Sequence, residues 1–338
     1  GKGDGFNVLD FGAIGDGETM NTAAIQKAID AASAAGGGRV VIAGGRFMSG
    51  TITLKSRVDL HIAEDGVLLG SPRCEDYPER ENLKHVVSEN LPRERNACFI
   101  WAEEAEKIAI TGQGVIDCNG QHFVEKKTGD WYAWEYQRIP GLKTPPRVVF
   151  LAGCRDVTVR DVTMINQPAG WGFWINDCDD VSFAGVKIRA RVEYPNNDGI
   201  HINCSRDVSV ERCEIECGDD AIVVRANSRG LKQNRPCERV SVTNCKLRSF
   251  ANCIRIGWTC DGVIRDCSFS KLDMYESCGG ISLYLPPVET ADHGREYTHV
   301  EKMVFTDIKM DKIYAHPLLF VVENHPEVDY DVAKNFRF

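Results

Sequence analysis

Short segments with one alternating pattern recur along the chain. They are DVTVRDVTM at 156, DVSFAGVKI at 180, DVSVERCEI at 207, RVSVTNCKL at 239, GVIRDCSF at 262 and KMVFTDIKM at 302. KIAITGQGVI at 107 is a looser copy. Aligned on the second apolar pair, the anchors are Val162, Val186, Cys213, Cys245, Cys267 and Ile308, spaced 22 to 41 residues apart. A repeat of that length with insertions describes stacked units that share one core. Apolar residues alternate with period two inside each segment, so the segments are strands. Val, Ile and Thr are abundant in them, and Asn, Asp and Gly mark the turns. No helical stretch separates successive copies, which excludes crossover helices. The expected fold class is therefore all-β, a right-handed parallel β-helix (solenoid). Its coils hydrogen-bond to one another about 4.8 Å apart, so equivalent residues stack in columns.

The fourteen cysteines fit such columns. None forms a CxxC pair, which argues against a zinc knuckle. Cys213, Cys245 and Cys267 are expected in one column, and Cys178 and Cys204 in another. Buried thiols pack as small apolar groups; disulfides or a metal are the alternatives.

The N-terminus has a different pattern. Ala23 to Ala35 favour helix, Thr19 or Asn21 can cap it, and Gly36 to Gly38 end it. Ile25, Ala28 and Ile29 line one face. The helix is expected to close the solenoid's open end, where core and strand edges would otherwise be exposed. The expected organisation is a single domain over 1–338, with strand and capping helix in 1–38 and coils in 39–338. KNFRF at the C-terminus reads as a new strand without a cap, so the chain is expected to be clipped or closed by irregular structure.

Net charge is −9 and the pI is near 5.5. A nucleic-acid partner is not expected, because phosphate binding needs a basic surface. No apolar run reaches a membrane span, so no membrane partner is expected. The first residue is Gly, so the sequence is not expected to report export directly.

The chemistry-bearing feature is a set of three acids. Asp219 and Asp220 open the apolar run in ECGDDAIVVRA, and Asp198 opens a similar run in NNDGIHI. Asp198 and Asp219 lie 21 residues apart, close to one coil, which brings all three carboxylates together. Like charges at such range raise at least one pKa. A proton-bearing acid beside ionised carboxylates is the equipment of glycoside hydrolysis. Adjacent strand residues point to opposite faces, so Gly218 is expected to supply a bend that turns both acids into one cleft. A solvated polar turn is the plainer reading.

These residues carry a family resemblance. DFGAIGDGETMNTAAIQKAI, LKSRVDLHIAEDGVLLGS, PPRVVFLAGC and the pair NNDGIHI and GDDAIVV resemble glycoside hydrolase family 28, the polygalacturonases, over nearly the whole chain. The resemblance implies inverting hydrolysis of an α-linked uronide polymer. It implies Asp219 as general acid, with Asp198 and Asp220 holding and activating water. No cofactor and no metal are implied.

The chain departs from the family pattern at three places. Asn197 replaces a Thr beside Asn196. Asn252 stands where the family has His. Ser282 and Tyr284 replace the Arg and Lys of Arg-Ile-Lys, which grip the substrate carboxylate. Arg189, Arg191, Arg225 and Arg255 are candidate substitutes if they share one outer face, because Arg forks suit carboxylates. His201, three residues after Asp198, is a candidate for the missing imidazole. The expected substrate-binding set is Asn196, His201, Arg225, Asn252, Arg255, Tyr284 and Trp171. Trp131, Tyr132, Trp134 and Tyr136 offer sugar platforms in an insertion. Trp174 is assigned to the core and Trp171 to the cleft.

The expected substrate is a pectin-type polysaccharide or oligosaccharide: galacturonan, rhamnogalacturonan or another glycan. A lyase on the same fold, with acids holding Ca²⁺ and an Arg base, and a silent glycan-binding β-helix are the alternatives. The expected protein is a monomer, secreted or periplasmic because a polymer cannot enter a cell; the many thiols favour a reducing compartment, leaving the cytoplasm as the alternative.

Overall fold

The computed structural model describes residues 5–80, 96–129, 134–145, 147–228, 230–231, 233–258, 261–285 and 298–322. The chain winds as a right-handed parallel β-helix. Each strand pairs in parallel with its equivalents in the preceding and following coils, giving three faces. The first face includes Gly38–Ile42, Val58–Ile62, Glu106–Thr111, Arg155–Arg160, Asp179–Ala184 and Arg206–Glu211. The second includes Gly66–Gly70, Val115–Asp117, Thr163–Ile165, Lys187–Arg189 and Glu214–Cys217. The third includes Ile100–Glu103, Arg147–Ala152, Trp171–Asn176, Ile200–Asn203, Ile222–Arg225 and Asn252–Ile256. Further along, the corners straighten. Val263–Leu285 and His299–Val322 each run through all three faces as one bent strand.

The repeat begins on Asp for a backbone reason. Asp156, Asp180 and Asp207 all adopt left-handed φ of 55–57° at the corner that starts the first face. Asp tolerates that region better than most residues. Alternation then sends Val157, Val181, Val208 and Val240 inward, where they are buried. Burying each such side chain stabilises the coil by roughly 1.5–3 kcal/mol.

The cysteine columns differ from expectation in two places. Val162, Val186, Cys213 and Cys245 stack as predicted, and Ile308 continues the column. Leu272, not Cys267, sits between Cys245 and Ile308. Cys267 belongs to the first face, beside Met303. Both positions have the same alternating pattern within one unbroken strand, so periodicity alone does not separate them. Cys178 and Cys204 do not share a column either. Cys178 stacks between Cys154 and Ser205, whereas Cys204 takes a left-handed φ of 48° and meets the Ser228 hydroxyl at 3.4 Å. All thirteen described cysteines are free thiols, and most are buried.

The helix spans Thr22–Ala34 and packs Ile25, Ala28, Ile29 and Ala32 into the end of the core. Asn21 occupies the cap position but does not cap. Its amide turns back to Ile14, accepting from the Ile14 N–H at 2.7 Å and donating to the Ile14 carbonyl at 3.0 Å. Gly36, at φ 90°, takes the left-handed conformation just after the helix end. The KNFRF segment lies outside the described residues. No helix among those described is long and apolar enough to cross a membrane.

Candidate active site

The corner between the second and third faces carries the acids. Asp198 ends the turn leading into Ile200–Asn203. Gly218 to Ala221 link Glu214–Cys217 to Ile222–Arg225. Gly199 N–H donates to the Asp220 carbonyl at 3.0 Å, and Ile200 N–H to the Ala221 carbonyl at 2.9 Å. Those ladder bonds seat Asp198 on Asp220 in the next coil. One oxygen from each of Asp198, Asp219 and Asp220 lies within 4.8 Å of the others. Asp198 and Asp220 are 4% and 5% exposed; Asp219 is the more open of the three.

Asp219 and Asp220 share one side because neither lies in a strand: the chain bends at Gly218 and Asp219. Gly218 is required there by crowding, since a Cβ would meet the Tyr194 carbonyl at 2.0 Å. The buried Asn197 fastens the bend. Its Oδ1 accepts from Gly218 N–H at 2.7 Å and Asp219 N–H at 3.1 Å, and its Nδ2 donates to the Arg191 carbonyl at 2.7 Å. Asn196 N–H donates to Asp219 Oδ2 at 3.1 Å, and Asp220 N–H donates to Asp219 Oδ1 at 2.9 Å. Asn196 therefore orients an acid from the coil before it. Gln167, which the sequence did not single out, donates to the Asp198 carbonyl at 2.8 Å.

The three carboxylates sit in different fields. Burial, then the charges of Asp219 and Asp220, pushes the Asp198 carboxyl well above the usual carboxylate range. Burial, then the charge of Asp220, pushes Asp219 up to about 7. Asp220 faces the donors: Arg255 Nη1 at 3.2 Å to Oδ2, and Asn252 Nδ2 at 2.8 Å and N–H at 3.1 Å to Oδ1. Trp258 lies against the Arg255 guanidinium at 4.1 Å, and Tyr284 packs on Trp258 at 5.3 Å. Tyr284 thus backs the cation that meets Asp220.

On the other side of the acids, Trp171 stacks face to face on His201 at 3.8 Å. Arg147 lies over both Trp171 and Trp174, at 3.9 and 4.2 Å. His201 Nδ1 is 3.5 Å from Asp198 Oδ2, too long for a hydrogen bond, and both His201 Nδ1 and Asp198 Oδ1 are buried without a partner. Burial, followed by the charges of Arg225, Arg147 and Arg255, pushes the His201 pKa well below its usual value. Both effects favour the neutral imidazole. Trp174 is buried in a core cluster, as expected, though not in the main one. It joins Cys98, Trp101, Phe150 and Ala152 in a separate apolar cluster on the third face, on the same side as Trp171.

The four arginines do not form one column. Arg225 makes a buried forked pair with Asp261, Nε at 2.9 and 2.8 Å from the two oxygens and Nη2 at 2.8 Å from Oδ1. No local pattern points to Asp261 as its partner. Arg189 meets Glu214 and Arg191 meets Glu193. Arg255 contacts Asp220 of the cluster. The insertion's aromatics pack on the protein: Trp134 Nε1 donates to the Gly218 carbonyl at 2.7 Å, and Tyr136 packs on Tyr194 at 5.0 Å. Trp131 and Tyr132 lie outside the described residues.

With this geometry in place, the comparisons with known proteins are specific. Residues 84–318 match the model of glycosyl hydrolases family 28. Residues 5–63 match that of rhamnogalacturonase A/epimerase, pectate lyase-like. The chain is 27% identical over 291 residues to a "Probable polygalacturonase" of Vitis vinifera, covering 82% of this chain and 56% of the relative. It is 25% identical over 369 residues to an exo-poly-alpha-D-galacturonosidase of Dickeya chrysanthemi, covering 97% and 59%. The chain therefore spans a little over half the length of these relatives. The Yersinia enterocolitica family 28 exopolygalacturonase has a similar fold, with TM-score 0.68 and 21% identity over 93% of this chain and 67% of that one.

Proposed function

The chain belongs to glycosyl hydrolases family 28, and from that premise we propose that it hydrolyses the glycosidic bonds of a pectin-type acidic polysaccharide. An α-linked galacturonan is the first candidate and rhamnogalacturonan the second. The observation that carries the reading is the cluster of Asp198, Asp219 and Asp220 at one corner, with Asp219 held near pKa 7.

Asp219 is the general acid. It is the most open of the three, and a pKa near the working pH suits proton donation to a leaving oxygen. Asn196 and the Asp220 N–H fix its side chain. Asp220, held by Arg255 and Asn252, is the base that takes a proton from the attacking water. Asp198, with its buried, unpartnered Oδ1, is the second oxygen that seats that water. Trp171, sandwiched between His201 and Arg147, offers its ring edge to a sugar, and Arg255 is the cation for an anionic ring. With Asp220 activating water instead of attacking carbon, the anomeric configuration inverts. The acids stand closer than the roughly 6.5–9.5 Å usual for inverting pairs, so product stereochemistry tests this step separately. A polymeric substrate places the work outside the cell or in the periplasm, by a monomer without a cofactor.

The test is incubation of the protein with polygalacturonate and with rhamnogalacturonan, reading reducing ends. Wild type releases them from at least one polymer, and Asp219→Asn releases at least about 100-fold fewer. Equal release by both proteins contradicts the assignment. Unsaturated products sensitive to chelators support a lyase instead, and binding without cleavage a glycan-binding role.

A further inference from the structure

The imidazole expected beside the acids is replaced by Asn252, but the structure holds another histidine behind that residue. Asn252 Nδ2 donates to Asp220 Oδ1 at 2.8 Å, and Asn252 Oδ1 meets His316 Nε2 at 3.1 Å. Asp220, Asn252, Gly279 and His316 follow one another down the same column of successive coils. From this chain's own geometry, and resting on the hydrolase reading above, the geometry points to His316 as a positioning residue for Asp220, acting through the Asn252 amide.

Two features of the backbone permit the contact. Gly279 lies between Asn252 and His316 and has no side chain. A Cβ there would stand 2.5 Å from Asn252 Oδ1 and 2.6 Å from His316 Nε2. The strand His299–Val322 also carries a bulge. Ser277 pairs with Ile313 but Gly279 pairs with His316, so one extra residue enters the second strand. A bulge shifts every later side chain and often re-aims one beside an active site. Here it brings His316 opposite Gly279.

The chemistry is directional. An Asn amide has one accepting oxygen and one donating nitrogen, and a half-turn exchanges them. Turned the wrong way, Asn252 would aim a lone pair at the carboxylate of Asp220. With a proton on Nε2, His316 donates to Oδ1 and holds the amide's donating side toward Asp220. His316 meets the Asn252 amide and not the acids themselves, so its effect reaches the reaction through the orientation of Asp220.

The experiment has two independent readouts. In protein with ¹⁵N-labelled histidine, assigned with His316→Gln, the His316 ring near pH 8 is expected as the Nε2–H tautomer. A dominant Nδ1–H tautomer overturns the inference, whether or not the protein turns over any polymer. In kinetics on the best pectic substrate, His316→Ala is expected to lose about tenfold or more in kcat, with KM within about twofold and an unchanged melting temperature. His316→Gln keeps a donor and should recover to within about threefold of wild type. Wild-type kcat in His316→Ala, or no difference between Ala and Gln, overturns the inference. An inactive wild type overturns the hydrolase reading instead and leaves the tautomer to decide the hydrogen bond. Gly279→Ala, which wedges the pair apart, should reproduce the His316→Ala kinetics.

Discussion

Asp198 stands on Asp220 across one coil, joined through the 3.0 Å hydrogen bond from Gly199 N–H to the Asp220 carbonyl. That single ladder bond sets the proposed chemistry, because it pools residues distant in sequence at one corner. Asp219 enters the same pool by the bend at Gly218. The proposed acid, base and water seat thus depend on coil register, not on a local motif.

The raised Asp219 pKa has a signed consequence for stability. A carboxyl held up to about 7 opposes ionisation in the folded state. The folded state is favoured below the unfolded pKa near 3.8, and that advantage is lost as pH rises through about 7. Asp219→Asn removes the penalty. Chemical denaturation should show the variant more stable than wild type near pH 8, by roughly 1–3 kcal/mol. The difference should vanish near pH 4. Equal stabilities at both pH values contradict the raised pKa.

The same ionisation should shape activity. If Asp219 must carry the proton, kcat/KM falls on the alkaline side with an apparent midpoint near 7. A pH–rate profile on pectic substrate checks this. A plateau extending past about pH 9 removes Asp219 as general acid.

Arg225 should matter for folding more than for turnover. Its forked pair with Asp261 is buried, with side-chain exposures of 11% and 0%. Removing one member leaves a buried charge, at a cost of about 3–5 kcal/mol. Arg225→Met should lower the melting temperature markedly, and Arg225→Met with Asp261→Leu should recover part of the loss. If Arg225→Met instead raises KM with normal stability, Arg225 grips substrate, as the sequence alone suggested.

Gly218→Ala probes the bend itself. A methyl group would sit 2.0 Å from the Tyr194 carbonyl, which is backbone and has little room to move. The variant should lose a few kcal/mol of stability and most activity. Retained activity at normal stability would mean that the acid turn tolerates displacement.

What the sequence revealed follows from what repeats. Val162, Val186, Cys213 and Cys245 are small apolar residues at matched positions, so their column is visible in the pattern. Cys267 departs from the expected column because Val263–Leu285 runs as one strand through all three faces, two of them alike in pattern and without turn residues to separate them. Cys204 leaves the expected column because it sits at a corner in left-handed φ, where alternation stops. Arg225 reads as an outward cation, and nothing local shows that Asp261 lies against it. His316 carries no sequence signal for a related reason. It joins the acids' column only through a bulge and a missing side chain, and neither has a periodic signature.

The most direct measurement is isotope placement in the products. Digestion of a galacturonan oligosaccharide in H₂¹⁸O, followed by mass spectrometry, reports which bond broke and how. Water attack guided by the three aspartates predicts saturated products with a single ¹⁸O at the new reducing end, and none from Asp219→Asn. Unsaturated fragments without ¹⁸O would contradict the account.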